Sequence, residues 1–198
     1  GCNIVDSAQF GDPDTHRFFM RVEFSSPPVT GPVAPAHELR ADFAAISKRF
    51  GMTFEIRDVT VKPRLAIMVS RHGHSLNDLL YRYGSGDLRV EIPAIISNHE
   101  DFAGLAASYG IPFHHVPVTP ATQDAAEARL LEIMVSERID LLVLARYMRI
   151  LSDATCRTLS GRAINIHHSF LPSFKGAKPY AQAYARGVKL IGATAHYV

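Results

Sequence analysis

The first quarter of the chain changes from a strand pattern to a helix pattern. Apolar residues occupy every second position over 18–24, after an apolar segment at 4–10 and a turn at 11–14, which predicts a β-hairpin. Apolar residues then recur every three or four positions, at Leu39, Phe43, Ile46 and Phe50, which predicts an amphipathic helix ending at Gly51. A third strand is predicted at 53–61. This ββαβ order matches a ferredoxin-like unit that lacks its first strand and helix.

From residue 63 onward, compact apolar segments alternate with helical ones. Strands are predicted at 65–70, 90–97, 113–118, 140–145, 163–168 and 190–198, with helices between them. The first of these helices is expected to open with a capping box at 75–78. The boundary between the two patterns predicts domains at 1–62 and 63–198. The second domain is predicted to be α/β, with a mostly parallel sheet whose ligand site lies at the carboxyl ends of its strands.

Composition and charge narrow the classes of function. The net charge is +2 over 198 residues and there is no run of lysine or arginine, so a nucleic-acid partner is not expected. No apolar segment approaches the roughly 20 residues that span a bilayer, so no membrane partner is expected. Cys2 and Cys156 form no CxxC motif, which favours a reduced, cytoplasmic protein. The histidines show no metal-binding spacing, so no metal is predicted.

The strand predicted at 163–168 carries candidate catalytic residues where it runs into a polar loop. Side chains alternate along a strand, so Asn165 and His167 are expected on one face. An imidazole can move a proton near neutral pH, and a carboxamide can donate to an oxygen that becomes negative. From spacing alone, a hydrogen-bonded structural pair remains the alternative interpretation.

Three segments resemble a known family: LARYMRIL at 144–151, INIHHSFLPSFKG at 164–176 and GATAHYV at 192–198. Together they resemble the formyltetrahydrofolate-dependent formyltransferase fold, and best of all its hydrolytic members, the formyltetrahydrofolate deformylases. The N-terminal ββαβ pattern resembles an ACT domain, the usual companion of those enzymes. The resemblance covers essentially the whole chain. It implies an incomplete ferredoxin-like ACT domain followed by a Rossmann-like formyltransferase sheet whose C-terminal part is missing.

The resemblance implies hydrolysis of 10-formyltetrahydrofolate to tetrahydrofolate and formate, which supplies formate for purine synthesis and balances the one-carbon folate pools. Asn165 would polarise the formyl oxygen. His167 would stabilise the tetrahedral intermediate and help move a proton to the departing folate nitrogen. The third catalytic residue of the family, an Asp, is expected beyond Val198.

The resemblance also implies a set of substrate-binding residues and one supporting residue. His196 is expected to brace the loop that carries the Asp, with a satisfied core histidine as the alternative. Ordinary core packing is the alternative for the apolar members of the binding set, and a solvated charge for the arginine. The binding set is Tyr147, Met148, Arg149, Ile150, Leu151, His168, Ser169 and Gly176.

The implied partners are the folate, an amino-acid effector at the ACT domain and further copies of the chain. No cofactor is implied, because the folate is a substrate. Transferases that act on phosphorylated amines carry a glycine-rich phosphate loop after the first strand, whereas the corresponding SRHGHSLND at 70–78 has one glycine. Water is therefore the expected acceptor. The alternatives are a formyltransferase with an amine acceptor, such as glycinamide ribonucleotide, and a non-catalytic ACT-type sensor.

Overall fold

The computed structural model describes residues 2–25, 35–167 and 179–198, and the chain divides into two compact units, Gly1–Val61 and Lys62–Val198. In the first unit, strand β1 (Asn3–Asp12) pairs antiparallel with strand β2 (Arg17–Ser25). The predicted hairpin is confirmed, but its turn lies at 13–16 because Gly11 and Asp12 still pair with β2. Asp12 closes this turn, since its Oδ1 accepts from the Asp14 N–H at 3.0 Å.

Helix α1 (Ala36–Phe50) follows the hairpin in the chain and carries the predicted apolar stripe. It ends at Gly51, whose φ of 62° lies in the left-handed region that glycine adopts without steric cost. The N–H of Met52 returns to the carbonyl oxygen of Ser47 at 2.9 Å, which satisfies one of the free carbonyls of the last turn. The predicted helix and its stop are both confirmed.

The third strand predicted at 53–61 is wrong. No strand lies within this segment, and its contacts run to α1 instead. The Phe54 ring packs edge-on against Phe43, with centroids 4.9 Å apart, and Arg40 donates two hydrogen bonds to the Ile56 carbonyl at 2.9 and 2.6 Å. Strand stability comes from cross-strand pairing, so an alternating pattern with no paired neighbour does not make a strand.

The second unit contains a six-stranded sheet in the order β5-β4-β3-β6-β7-β8. Every neighbouring pair is parallel except β7 with β8, so the predicted mostly parallel α/β sheet is confirmed. The strands are β3 (Arg64–Val69), β4 (Glu91–Ser97), β5 (Phe113–His115), β6 (Leu141–Leu144), β7 (Ala163–His167) and β8 (Thr194–Tyr197). The helices are α2 (His74–Ser85), α3 (Ala103–Ser108), α4 (Gln123–Ser136), α5 (Asp153–Thr158) and α6 (Pro179–Ala185).

The two faces of this sheet form two separate hydrophobic clusters. Met68 of β3 belongs to the same cluster as Leu130 of α4, whereas Ile67, its neighbour in the chain, belongs with Leu80 of α2. Complete burial of a side chain of this size contributes about 1.5–3 kcal/mol to stability. Packing on both faces therefore holds the carboxyl ends of the strands in fixed positions.

The strand order reverses between β3 and β6. From β3 the sheet grows outward through β4 and β5 on one side, and through β6, β7 and β8 on the other. The loops that follow β3 and β6 therefore leave in opposite directions and open a crevice, which is where sheets of this type bind ligands.

Helix α2 starts earlier than the capping box predicts. Its N-cap is Gly73, with no side-chain cap, and the Asn77 N–H bonds to the Gly73 carbonyl at 2.8 Å. A Cβ at Gly73 would lie 2.3 Å from the ring of Phe102. The ring thus requires a residue without a side chain at this point, and the helix begins there rather than at Ser75.

Candidate active site

Asn165 and His167 lie at the carboxyl end of β7, and both are half-buried. Asn165 pairs with Leu144 of β6, which faces the cluster that contains Met68. Neighbours in register share a face of a sheet, and so do residues two apart in one strand. The carboxamide and the imidazole therefore belong to the face that is covered by α4 and α5.

His196 of β8 lies directly across from Asn165 in the antiparallel ladder. The Asn165 Nδ2 is 3.4 Å from the His196 Nε2, and the His196 Nδ1 is 2.8 Å from the Tyr197 carbonyl oxygen. A carbonyl only accepts, so Nδ1 carries the proton and Nε2 is left to accept from the carboxamide. This contact fixes one Asn165 N–H and leaves the other available to a ligand. His196 is thus adjacent to the predicted catalytic residue itself.

Replacing His196 with alanine is expected to lower turnover about tenfold, because a carboxamide with one unsatisfied N–H can rotate away from its bound orientation. Glutamine at this position, which keeps an acceptor, should recover part of the loss. The measurement is kcat in the full-length protein, with melting temperature as a check on folding. Equal kcat values in H196A, H196Q and wild type would show that the contact does not orient Asn165.

The predicted substrate-binding residues at 147–151 form the loop after β6 and divide into two groups. Tyr147 and Leu151 are buried in the cluster with Met68. Met148 and Ile150 are exposed, Ile150 by 89%, so the core interpretation fails for these two. Burial raises the pKa of the Tyr147 phenol, opposed by the nearby charge of Arg149, so the hydroxyl stays protonated and can donate a hydrogen bond.

Hydrogen bonds anchor this loop at both ends. The Ser70 hydroxyl, at the end of β3, accepts from the Met148 N–H at 3.2 Å and donates to the buried Asn98 Oδ1 at 2.7 Å. At the far end, the Gln123 side chain donates to the Ile150 carbonyl at 3.1 Å. The loop is therefore tied to β3, β4 and α4 and spans the crevice at the strand reversal.

Glu127 of α4 is the centre of a buried network that the sequence did not reveal. It is 8% exposed and accepts from the Ser152 N–H at 2.9 Å, the Ser152 hydroxyl, the Thr155 hydroxyl at 2.5 Å and the Gln123 amide at 3.0 Å. Desolvation alone would raise its pKa, but the bonds from Ser152, Thr155 and Gln123 outweigh it and hold the pKa below its ordinary value. In the sequence, the only sign of this network is an acidic residue among the apolar positions of α4.

The same serine joins the loop to the next helix. Ser152 is the N-cap of α5, and its hydroxyl accepts from the Thr155 N–H at 3.2 Å. Glu127 therefore holds the end of the 147–151 loop and the start of α5 through one residue.

A small cavity lies between this loop and α4. Its walls include Tyr147 and Leu151 from the loop and Glu127 from the helix, and its volume is ≈ 10 Å³, room for about one water molecule. A larger cleft of ≈ 340 Å³ lies at the opposite edge of the sheet, beside Arg138 and Asp140, and no predicted site residue lines it. The small cavity thus belongs to the predicted binding loop, and Asn165 and His167 are not among its lining residues.

The segment at 70–78 is the one predicted to correspond to the phosphate loop of transferases. Phe102 packs against Gly73, the N-cap of α2. Phosphate groups bind at such helix starts through exposed backbone N–H groups. The ring of Phe102 leaves less room for a phosphate group at the start of α2.

Three of the predicted binding residues, His168, Ser169 and Gly176, lie outside the described residues. Within the described part of the chain, no three His, Cys, Asp or Glu residues come together as a metal site. Across 2–25, 35–167 and 179–198, every helix is too short or too polar to cross a bilayer.

Comparisons of sequence and of structure both find relatives among formyltetrahydrofolate deformylases. The formyl transferase family model matches residues 63–198. A formyltetrahydrofolate deformylase from Corynebacterium sp. is 48% identical over 98% of this chain and 67% of its own length. The chain thus spans about two thirds of the curated relatives it matches. The crystal structure of the deformylase from Burkholderia mallei is 48% identical, with a TM-score of 0.87, and it covers 100% of this chain and 68% of its own.

A phosphoribosylglycinamide formyltransferase from Coxiella burnetii is more distant. Its structure is 34% identical, with a TM-score of 0.63, and covers 70% of this chain and 66% of its own. The deformylases match both units, whereas this transferase does not extend over the whole chain. The chain belongs to the formyltetrahydrofolate deformylase family.

Proposed function

We propose that the full-length protein hydrolyses 10-formyltetrahydrofolate to tetrahydrofolate and formate. The observation that carries this proposal is the pair Asn165 and His167 on one face of β7, at the carboxyl edge of the sheet, in a chain similar to deformylases throughout its length. The product formate feeds purine synthesis, and the reaction balances the one-carbon folate pools.

The two side chains divide the chemistry between them. A free N–H of Asn165 donates to the formyl oxygen, whose negative charge grows as water adds to the carbon. His167 stabilises the tetrahedral intermediate and delivers a proton to the folate nitrogen as the C–N bond breaks. An Asp beyond Val198 would orient the water and hold His167. The pterin ring would lie against the 147–151 loop, together with His168, Ser169 and Gly176.

Folate entry requires the walls of the cavity beside this loop to separate, because ≈ 10 Å³ holds one water and not a pterin. The side chains of Met148 and Ile150, which project into solvent, can turn onto the ring as it enters. Water is the favoured acceptor over a phosphorylated amine, because the 70–78 segment has one glycine and the Phe102 ring packs against it.

The first unit is proposed to be an ACT-like regulatory domain that binds an amino acid and promotes self-association. Its hairpin and helix are compatible with part of that fold, and the deformylase structure that covers 100% of the chain includes this region. The domain division at 1–62 and 63–198 is part of the same proposal. Two free thiols, Cys2 and Cys156, suit the reducing cytoplasm that we propose as its location.

The decisive experiment incubates the full-length protein with 10-formyltetrahydrofolate alone and measures formate. Release without any amine, with one equivalent of tetrahydrofolate, is expected. Formate or formyl transfer that appears only after addition of glycinamide ribonucleotide would contradict the hydrolase and support a transferase. A folded protein that binds an amino acid but turns over no folate under either condition would indicate a sensor.

A further inference from the structure

Arg146 combines two unusual features at the second position after β6. Its φ is 62°, in the left-handed region that residues with a side chain rarely adopt. Its Nε is buried and makes no hydrogen bond within the described part of the chain. Strained backbone and unsatisfied buried donors are both costly, and strained residues cluster at functional sites.

The position of Arg146 is as informative as its conformation. Leu144 pairs with Met68 of β3 on one side and with Asn165 of β7 on the other. Two residues further on, Arg146 leaves the sheet between the carboxyl ends of these strands, which end near Ser70 and at His167. It thus stands at the strand reversal, beside the strand that carries both proposed catalytic residues.

The chemistry of hydrolysis matches a guanidinium at this place. When water adds to a formyl carbon, the intermediate carries two oxygens on one carbon, and the product formate keeps them. A guanidinium presents parallel N–H donors at the spacing of two such oxygens. In formyl transfer to an amine, the same carbon carries one oxygen and the acceptor nitrogen, and this pair matches the two parallel N–H donors less well.

We propose that Arg146 binds the two oxygens of the tetrahedral intermediate and of formate, and thereby favours water over amines as the acceptor; this inference rests on the proposed hydrolase activity. The oxygen of water forms a bond to the formyl carbon, and the carbonyl electron pair moves onto its oxygen. That pair then re-forms the C=O bond as the C–N bond breaks. One proton from the water goes to the folate nitrogen and the other is released, which leaves formate.

Substitution by glycine separates strain from function. Glycine accepts a φ of 62°, so Arg146→Gly should melt a few degrees above wild type while losing roughly 100-fold in kcat/KM, the loss typical of removing one oxyanion donor. Formate should inhibit this variant at least about tenfold more weakly, since its carboxylate loses a bidentate partner. Arg146→Lys keeps the charge but not the two parallel donors. Its kcat/KM and its inhibition by formate should therefore lie between those of Arg146→Gly and wild type.

The matched control is Arg138→Gly. Arg138 also has a left-handed φ, 50°, but it lies after α4 at the opposite edge of the sheet. This variant should gain similar thermal stability with unchanged kcat/KM and unchanged inhibition by formate.

All variants are measured in the full-length protein. Wild-type kcat/KM and formate inhibition in Arg146→Gly would overturn the proposal, as would wild-type values in Arg146→Lys if the glycine variant does not fold. A wild type that releases no formate refutes the hydrolase instead. In that case, the binding of sodium formate is measured as the rise in melting temperature that it causes. An equal rise in wild type and Arg146→Gly would overturn the proposed carboxylate site independently of the hydrolase activity.

Discussion

Asn165→Ala and His167→Ala in the full-length protein are each expected to lower formate release by roughly 10²–10³-fold, while the melting temperature changes by only a few degrees. The large kinetic effect follows from losing a donor to the developing oxyanion in one case and a proton carrier in the other. The small thermal effect follows from their positions, half-buried at the carboxyl end of β7 and not among the fully buried residues of the core.

The controls for this pair are Asn77→Ala and His37→Ala, which remove the same side chains from exposed helical positions in α2 and α1. Both should keep wild-type turnover and stability. If the Asn165 and His167 variants unfolded readily while each folded molecule kept its full activity, the pair would be structural. The measurements are single-turnover formate release and thermal unfolding on the same preparations.

Glu127→Gln is expected to weaken substrate binding more than it slows the chemical step. The glutamine keeps one acceptor but turns an amide N–H₂ toward Ser152, Thr155 and Gln123, which already donate there. Each buried group left without a partner costs about 1–3 kcal/mol. The end of the 147–151 loop and the cap of α5 should loosen together. KM for the folate is therefore expected to rise at least about tenfold, with a smaller change in kcat.

The pH dependence gives this prediction a second readout. Because the folded protein holds the Glu127 pKa below its unfolded value, the carboxylate stabilises the fold above the unfolded pKa, and that contribution disappears as pH falls through the folded pKa. The stability gap between wild type and Glu127→Gln should thus be constant near neutral pH and narrow below about pH 4.5. Glu132→Gln, an exposed change on the same helix, serves as the control. A gap that is unchanged down to pH 3 would contradict the role of the ionised form.

The sequence predicted the features that depend on local pattern. Alternating apolar segments and helical stripes gave the parallel sheet, the hairpin and α1, and strand alternation placed Asn165 and His167 on one face. Gly51 signalled the end of α1 because a C-cap works through bonds within a few residues of itself.

Long-range contacts were the features that the sequence could not predict. Residues 53–61 have the alternation of a strand but no paired neighbour in the described structure, and the glycine at the start of α2 is required by the ring of Phe102, nearly thirty residues away. Glu127 and Arg146 are significant because of what surrounds them: four converging donors in one case, and a left-handed turn with a buried, unsatisfied Nε in the other. An acidic residue among apolar positions hints at the role of Glu127, whereas the properties of Arg146 have no signature in the order of residues.

The position of Ser152 links substrate entry to the rest of the second unit. Because this serine both terminates the 147–151 loop and caps α5, the loop cannot swing outward for a pterin without fraying the first turn of that helix. Binding of the folate would then change hydrogen exchange at backbone amides that do not contact it. Slower hydrogen exchange at Thr155 and Cys156 would record the closing of the site over its substrate.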